Sequence, residues 1–310
     1  MSSEGGFAPR FRSLKGSAHR PSAAHLALQS VVARLTARSS LPPPSSVARA
    51  KPAREGRLLR HVPGVAAAAV LLVGCTTRPV VLDGTLARGN IATRVGRPGV
   101  VVAAPHGTSD IGTGEMAAEI ARRTGFGLVV ATGFNVEADS RVGPSRRYQV
   151  NRPVEGVPGR PVSEDTGTEV ARSVYEAYER GVREAAQGPL RFYTEIHGNN
   201  RREAGDRIEI ATVGVDAEQA AKLRALLELV RDAHLRARPG ATRLDVRVEP
   251  ADALVYSASG AKRAGILRLP QRALHIELPR VARQDGRELY TLILSDFLLQ
   301  AIALPLPIAR

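Results

Sequence analysis

Two histidines in this chain stand where short apolar runs end and glycine follows: His106 in Pro105-His106-Gly107 after Val100–Ala104, and His197 in His197-Gly198-Asn199 after Phe192–Ile196. An imidazole at the end of an extended segment, with the backbone turning away behind it, is presented to a crevice. Either one alone reads equally well as a hydrogen-bonded structural histidine; two in equivalent places point to a shared site. Asp110, four residues after His106 in a Gly/Ser/Thr loop, offers a carboxylate to the same ion or caps the helix that follows. A His106–Asp110–His197 set suits Zn2+ with one position left open for chemistry. Glu115 is the competing carboxylate, although it falls inside a predicted helix and could instead support that helix's N-terminus. Glu195 lies on the same strand face as His197 and suits the orienting of a ligand imidazole better than ligation.

Hydrolysis at such a centre needs a group to take a proton from water. Glu277, in Leu274-His275-Ile276-Glu277-Leu278-Pro279, is an acid inside an otherwise apolar strand. Burying it is costly unless it is paired, so it is either an edge-strand surface residue or the general base. His275 shares its face, as a neighbour of the site or as a structural histidine. Asn151-Arg152-Pro153 closes the run Arg146-Arg147-Tyr148-Gln149-Val150. An Asn–Arg pair facing a metal can hold a substrate carboxylate, with the guanidinium making paired hydrogen bonds. Arg146 and Arg147 could assist, or the whole basic loop could simply be solvated.

These residues need rigid elements to bring them together, and the pattern from Val80 onward alternates strand-like and helix-like segments, an α/β domain. Strands are expected at Val100–Ala104, Leu128–Ala131, Phe192–Ile196, Leu244–Val248 and Ala273–Leu278, with Arg207–Val213 as a strand with one exposed face. Helices are expected at Thr113–Arg123 with Thr113 as N-cap, at Ser163–Ala186, at Ala217–Arg236 with a Leu223, Leu226, Leu227, Val230 stripe, and at Arg287–Ala303. Residues 133–163, rich in Gly, Pro, Arg and Asn, read as one long irregular stretch.

The formal charge of +14 invites a nucleic-acid reading, but residues 1–60 hold eleven Lys/Arg against two Asp/Glu, so +14 less +9 leaves +5 on the rest. Residues 1–56 are a basic, low-complexity Ser/Pro/Ala/Arg segment that reads as a disordered tail, a targeting extension or sequence upstream of the true start, and the signal-like element that follows favours the last. Only two aromatic residues, Phe7 and Phe11, fall there for base stacking, so no nucleic-acid partner is expected. Residues 57–75 read as an export signal: Arg57, Arg60 and His61, then an apolar run to Val73, then Leu72-Val73-Gly74-Cys75. That ending resembles the lipobox of bacterial lipoproteins, which implies lipidation at Cys75, the only cysteine, a membrane anchor and a place in the cell envelope. The apolar run is shorter than the roughly 20 residues of a membrane span. Thr76-Thr77-Arg78-Pro79 then reads as a tether to a single domain filling 76–310.

Taken in order, Pro105-His106-Gly107 with Asp110, Val150-Asn151-Arg152-Pro153, Ile196-His197-Gly198-Asn199 and Ile276-Glu277-Leu278 resemble the N-formylglutamate amidohydrolase family, within the zinc-carboxypeptidase-like hydrolases, over about residues 98–285. The resemblance implies a mixed central β-sheet sandwiched by helices. It also implies one zinc on His106, Asp110 and His197, Glu277 as base, and Arg152 with Asn151 as carboxylate anchor. Members often carry Asp-Leu-Asn-Arg where Gln149-Val150-Asn151-Arg152 stands here, and an Asp where Glu195 precedes Ile196-His197-Gly198. The expectation is a zinc-dependent hydrolase of amide or peptide bonds in a carboxylate-bearing N-acyl amino acid or glutamyl-type peptide. Export makes a cell-envelope substrate more plausible than N-formylglutamate. A peptidoglycan amidase is the rival enzyme, and a non-catalytic envelope binding lipoprotein the rival of another class.

Overall fold

Val100 to Ala104 and Arg272 to Leu278 are buried at every position, which a strand can be only when both faces of its sheet are covered. The computed structural model describes residues 74–82, 88–138 and 144–305, all within the unit Ala69–Arg310. The basic segment 1–56 and the apolar run of the export signal lie outside the described residues; Cys75 is exposed.

Eight strands form one mixed sheet in the order β1 (Thr76–Val81), β2 (Arg88–Arg94), β4 (Phe126–Thr132), β3 (Arg97–Ala104), β8 (Phe192–Gly198), β11 (Arg272–Leu278), β9 (Arg207–Val213) and β10 (Asp245–Val248). β4, β3, β8 and β11 are mutually parallel, β9 runs antiparallel to β11, and β1 and β2 are antiparallel additions at the other edge. Helices α1 (Thr113–Thr124), α3 (Ala217–Arg236) and α6 (Arg287–Ala301) cover one face, where Val100, Val102, Ile196, Ile210, Leu274 and Ile276 form the core with Ile120, Leu227 and Phe297. Helix α2 (Glu169–Ala186) covers the other, packing Val174, Tyr178 and Val182 on Val101, Ala103, Val129 and Tyr193, with Ala261 of the short helix α4 (Ser259–Ala264) in the same core. Odd and even residues of β3 thus enter opposite cores, as the period of two requires. The domain is α/β, with a mixed sheet between helical layers.

Several expectations are corrected. Thr76-Thr77-Arg78-Pro79 is not a tether but the start of β1, registered on β2 from Thr76↔Thr93 to Val81↔Arg88, with Arg78 in a 2.5 Å ion pair to Glu184. Its polar, exposed side chains hide a strand whose stabilising partner is another strand rather than a core. The 133–163 stretch contains a small sheet of β5 (Asn135–Val136), β6 (Arg146–Tyr148) and β7 (Glu155–Gly156). Helix α2 begins at Glu169 rather than Ser163, because Thr168 is extended and its hydroxyl caps Ala171 N. At α1 the N-cap is Gly112, and Thr113 instead donates its hydroxyl to the carbonyl of Asp110. β9 is buried on both faces rather than one.

Beyond α6 the chain is held by Arg272, which is 3 % exposed. Its guanidinium donates to the carbonyls of Ala301, Leu304 and Pro305 at 3.3, 3.0 and 2.6 Å. Arg272→Met should therefore destabilise the fold by about 1–3 kcal/mol by orphaning these acceptors, read as a lower midpoint in urea unfolding.

Candidate metal centre and cleft

The chain runs from β3 through α1 to β4 on one side of β3, then through α2 to β8 on the other side, so the strand order reverses between β3 and β8. Crevices at such reversals open beyond the carboxyl ends of the strands. Both histidines lie there: His106 two residues past the end of β3, and His197 at the end of β8. β11 is parallel to β8 with Glu277 opposite His197, so the third motif reaches the same end of the sheet. The cleft, about 400 Å³ in volume, is lined by His106, Asp110, Asn151, Arg152, His197 and Glu277 together with Arg147, Gln149, Arg201, Tyr256 and His275.

At its floor, Asp110 Oδ2 lies 3.5 Å from Nδ1 of His106 and 3.5 Å from Nδ1 of His197, and the three ligand atoms all fall within 4.8 Å of one another. The same oxygen accepts from the backbone N–H of Gly198 at 3.1 Å, which locks the aspartate onto the turn after His197. Burial opposes ionisation of Asp110, but the hydrogen bonds and charges of the two imidazoles outweigh it and hold its pKa well below the usual range. Two imidazole nitrogens and one carboxylate oxygen converging from rigid loops are a donor set that fits zinc. The buried Nε2 of His106 has no protein partner among the described residues.

Behind this set lies a buried polar network on the α2-side face. Glu195, fully buried, accepts from His197 Nε2 at 3.1 Å, His275 Nδ1 at 2.9 Å, Tyr193 Oη at 3.0 Å and Asn151 Nδ2 at 3.2 Å; Tyr193 in turn meets Tyr178 Oη at 2.9 Å. Burial disfavours its charge, but the two histidines hold its pKa below the ordinary glutamate value. For His197 burial acts downward, and the carboxylates of Asp110 and Glu195 override it and raise its pKa. Thus Glu195 orients the imidazole of His197 with Nδ1 toward Asp110, which fixes the tautomer as well as the ring. The network continues through His275, stacked on His197 with centroids 4.0 Å apart, whose Nε2 is 3.0 Å from Glu277 Oε1. Glu277 is 6 % exposed on a central strand, not an edge. Its other oxygen, Oε2, is buried without a protein partner among the described residues.

The basic loop divides between the cleft and other contacts. Arg152 and Arg147 line the cleft and share Asp165, at 3.6 and 2.6 Å, while Gln149 Nε2 donates to the same carboxylate at 2.9 Å. Burial lowers the pKa of Arg152. Arg146 is not among the residues lining the cleft and lies 3.6 Å from Glu155, because adjacent positions on β6 point to opposite sides. Asn151 lines the cleft but directs its amide to Glu195. Glu115 is exposed on α1, 3.9 Å from Arg287, and does not join the metal set.

Other residues that shape the cleft carry little signal in the sequence. Glu209, fully buried opposite Glu277 on β9, accepts from the backbone N–H groups of Val255 and Tyr256, both at 3.0 Å, and so sets the loop bearing Tyr256. Over that ring lies the Arg201 guanidinium, 4.9 Å from the centroid. The only sequence signal for these was an acid in an apolar strand, as with Glu277.

No protein-family model matches the sequence, and no curated protein matches it. Among solved structures, the chain is similar to a bacteriophage poly-gamma-glutamate hydrolase at 13 % identity, covering 69 % of this chain and 88 % of that one, with a TM-score of 0.39. It is similar to an aspartoacylase family protein from Mesorhizobium loti at 13 % identity, covering 74 % and 68 % with a TM-score of 0.36. A metallo-carboxypeptidase from Burkholderia cenocepacia is 14 % identical, with 74 % and 65 % covered and a TM-score of 0.35.

Proposed function

We propose that this domain is a zinc-dependent hydrolase of amide or peptide bonds, acting on a substrate that carries a carboxylate, such as an N-acyl amino acid or a glutamyl-type peptide. One observation carries the proposal: Asp110 Oδ2 sits 3.5 Å from both Nδ1 atoms, in the cleft that also holds a buried carboxylate, Glu277. His106, Asp110 and His197 would hold the ion, with Glu195 orienting His197. Zinc, when bound, supplies Lewis acidity that polarises a scissile carbonyl and lowers the pKa of water toward about 7.

The remaining steps belong to the protein. Arg152, with Arg147 beside it, holds the substrate carboxylate and so fixes which bond lies over the cleft floor. Glu277 takes the proton of the attacking water on Oε2, while Oε1 stays anchored to His275, and delivers that proton to the nitrogen of the leaving amine. The resemblance in motif order to N-formylglutamate amidohydrolases supports this class of bond. Lipidation at the exposed Cys75 would hold the enzyme at the cell envelope, and there peptide fragments of the envelope join N-acyl glutamates as candidate substrates.

The test is the zinc content of the purified full chain, with hydrolysis measured on N-acyl glutamates, glutamyl peptides and muropeptides. About one zinc per chain and amine release abolished by chelation and restored by zinc are expected; full activity of the metal-free protein would overturn the proposal. Arg152→Ala should remove charge-assisted hydrogen bonds worth about 1.5–3 kcal/mol, a roughly 10- to 150-fold rise in KM with little change in kcat. A fall in kcat at constant KM would remove Arg152 from the anchor.

A further inference from the structure

Helix α5 (Arg280–Arg283) begins two residues after β11 ends, so one short segment carries both Glu277 and Arg283. Arg283 is only 2 % exposed, yet among the described residues no carboxylate lies within ion-pair distance of it. A buried guanidinium without a counter-charge is costly to keep, and its fork is spent elsewhere. Nη1 donates to the carbonyl of Ile111 at 2.8 Å, and Nη2 donates to Asn200 Oδ1 at 2.7 Å and to the carbonyl of Asn199 at 3.4 Å.

These acceptors belong to two different loops. Ile111 follows Asp110, in the loop that also carries His106; Asn199 and Asn200 follow His197. The packing is close on both sides. A Cβ on Gly198 would lie 2.6 Å from Nε and 2.7 Å from Cζ of Arg283, and one on Gly112, where φ is 90°, would lie 2.1 Å from the Arg283 carbonyl oxygen. The backbone N–H of Asn199 is also tied to the end of β11, through Leu278 O at 2.9 Å.

We infer that Arg283 is a positioning residue that clamps the two ligand-bearing loops against each other and thereby sets the affinity of the site for its metal ion. The planar fork is what the task requires: one side chain must reach carbonyls on two loops at fixed angles, which a lysine ammonium does not reproduce. Its positive charge would by itself repel a cation, so its contribution is geometric. The inference rests on the metal site proposed above.

The experiment is zinc competition against a chromogenic chelator, using the full chain and four variants, with circular dichroism and thermal unfolding in parallel. Arg283→Lys and Arg283→Met should each weaken zinc binding about 10- to 100-fold, the range for residues that support metal ligands. Asn200→Ala, which removes one anchor of the clamp, should weaken it less. Arg272→Met, at a buried arginine of β11 that holds the segment after α6, should lower the melting temperature without moving the zinc constant. If the Arg283 variants do not fold, Asn200→Ala decides. Wild-type affinity in Asn200→Ala and in folded Arg283→Lys would overturn the inference, as would tighter binding in Arg283→Met, which would make the residue's influence one of charge. Failure of the wild type to bind zinc would defeat the proposed function and this inference together; zinc on the wild type with unmoved variants defeats this inference alone.

Discussion

Glu277→Gln is expected to leave zinc bound and the fold intact while lowering kcat about 10²- to 10⁴-fold, the usual contribution of a positioned general base. The substitution is nearly isosteric. The amide oxygen can keep accepting from His275 Nε2, where Oε1 now lies at 3.0 Å, so the hydrogen bond that aims the side chain survives. What changes is the atom at Oε2, buried and free of protein partners among the described residues: an amide nitrogen there donates protons and cannot take one. Because Glu277 belongs to neither cluster of metal-ligating side chains among the described residues, the zinc content should stay near that of the wild type. KM should move little, since the proposed carboxylate anchor, Arg152, is on another loop. The check is steady-state kinetics on the best substrate of the screen together with metal analysis of the same preparation. A variant that keeps full kcat would strip Glu277 of the role of base.

The parts of this site legible in the sequence are those whose signal is local. A histidine at a strand end is visible because apolar run, polar residue and glycine are consecutive, and β3, β8 and β11 carry His106, His197 and Glu277 to one end of the sheet. Helix α3 could be placed from end to end because its leucine stripe lies within one segment, and the structure adds the Asp216 side chain as its cap, accepting from the backbone N–H of Gln219. What escaped depends on partners distant in sequence. β1 is polar and exposed and becomes a strand only by pairing with β2. Asn151 turns its amide to Glu195, 44 positions away, and Arg146 differs from Arg147 only through the side of β6 it falls on. Arg283 sits in an Arg-Val-Ala-Arg stretch with no local signal of burial; its burial is created by Gly198, Gly112 and Asn200. Glu115 looked like a ligand because it is close in sequence to Asp110, but the turn after Asp110 sends it to the outer side of α1.

Glu195→Ala should produce the largest loss of stability at the site, about 3–5 kcal/mol in the metal-free protein, because removing one partner of a buried charge network strands the others. Here the stranded groups are His197 Nε2, His275 Nδ1, Tyr193 Oη and Asn151 Nδ2, all of which meet at one carboxylate. The pH dependence has a definite sign. Glu195 is depressed in the folded protein, so its contribution is present above the ordinary glutamate value of 4.5 and is lost as pH falls toward the lower folded value. His197 is raised, so its contribution is present below the ordinary histidine value of 6.5 and is lost as pH rises toward the higher folded value. The gap between wild type and variant should therefore be widest between about pH 4.5 and 6.5 and narrow on either side, measured by urea unfolding in the presence of chelator. Zinc affinity should fall about 10- to 100-fold as well, since His197 loses the acceptor that fixes its tautomer. Glu195→Gln separates the two effects: it retains an acceptor for one imidazole but not the charge, so zinc affinity should recover partly while the pH-dependent gap stays. An equal loss of stability at pH 5 and pH 9 would show that packing, not the charge network, is what Glu195 contributes.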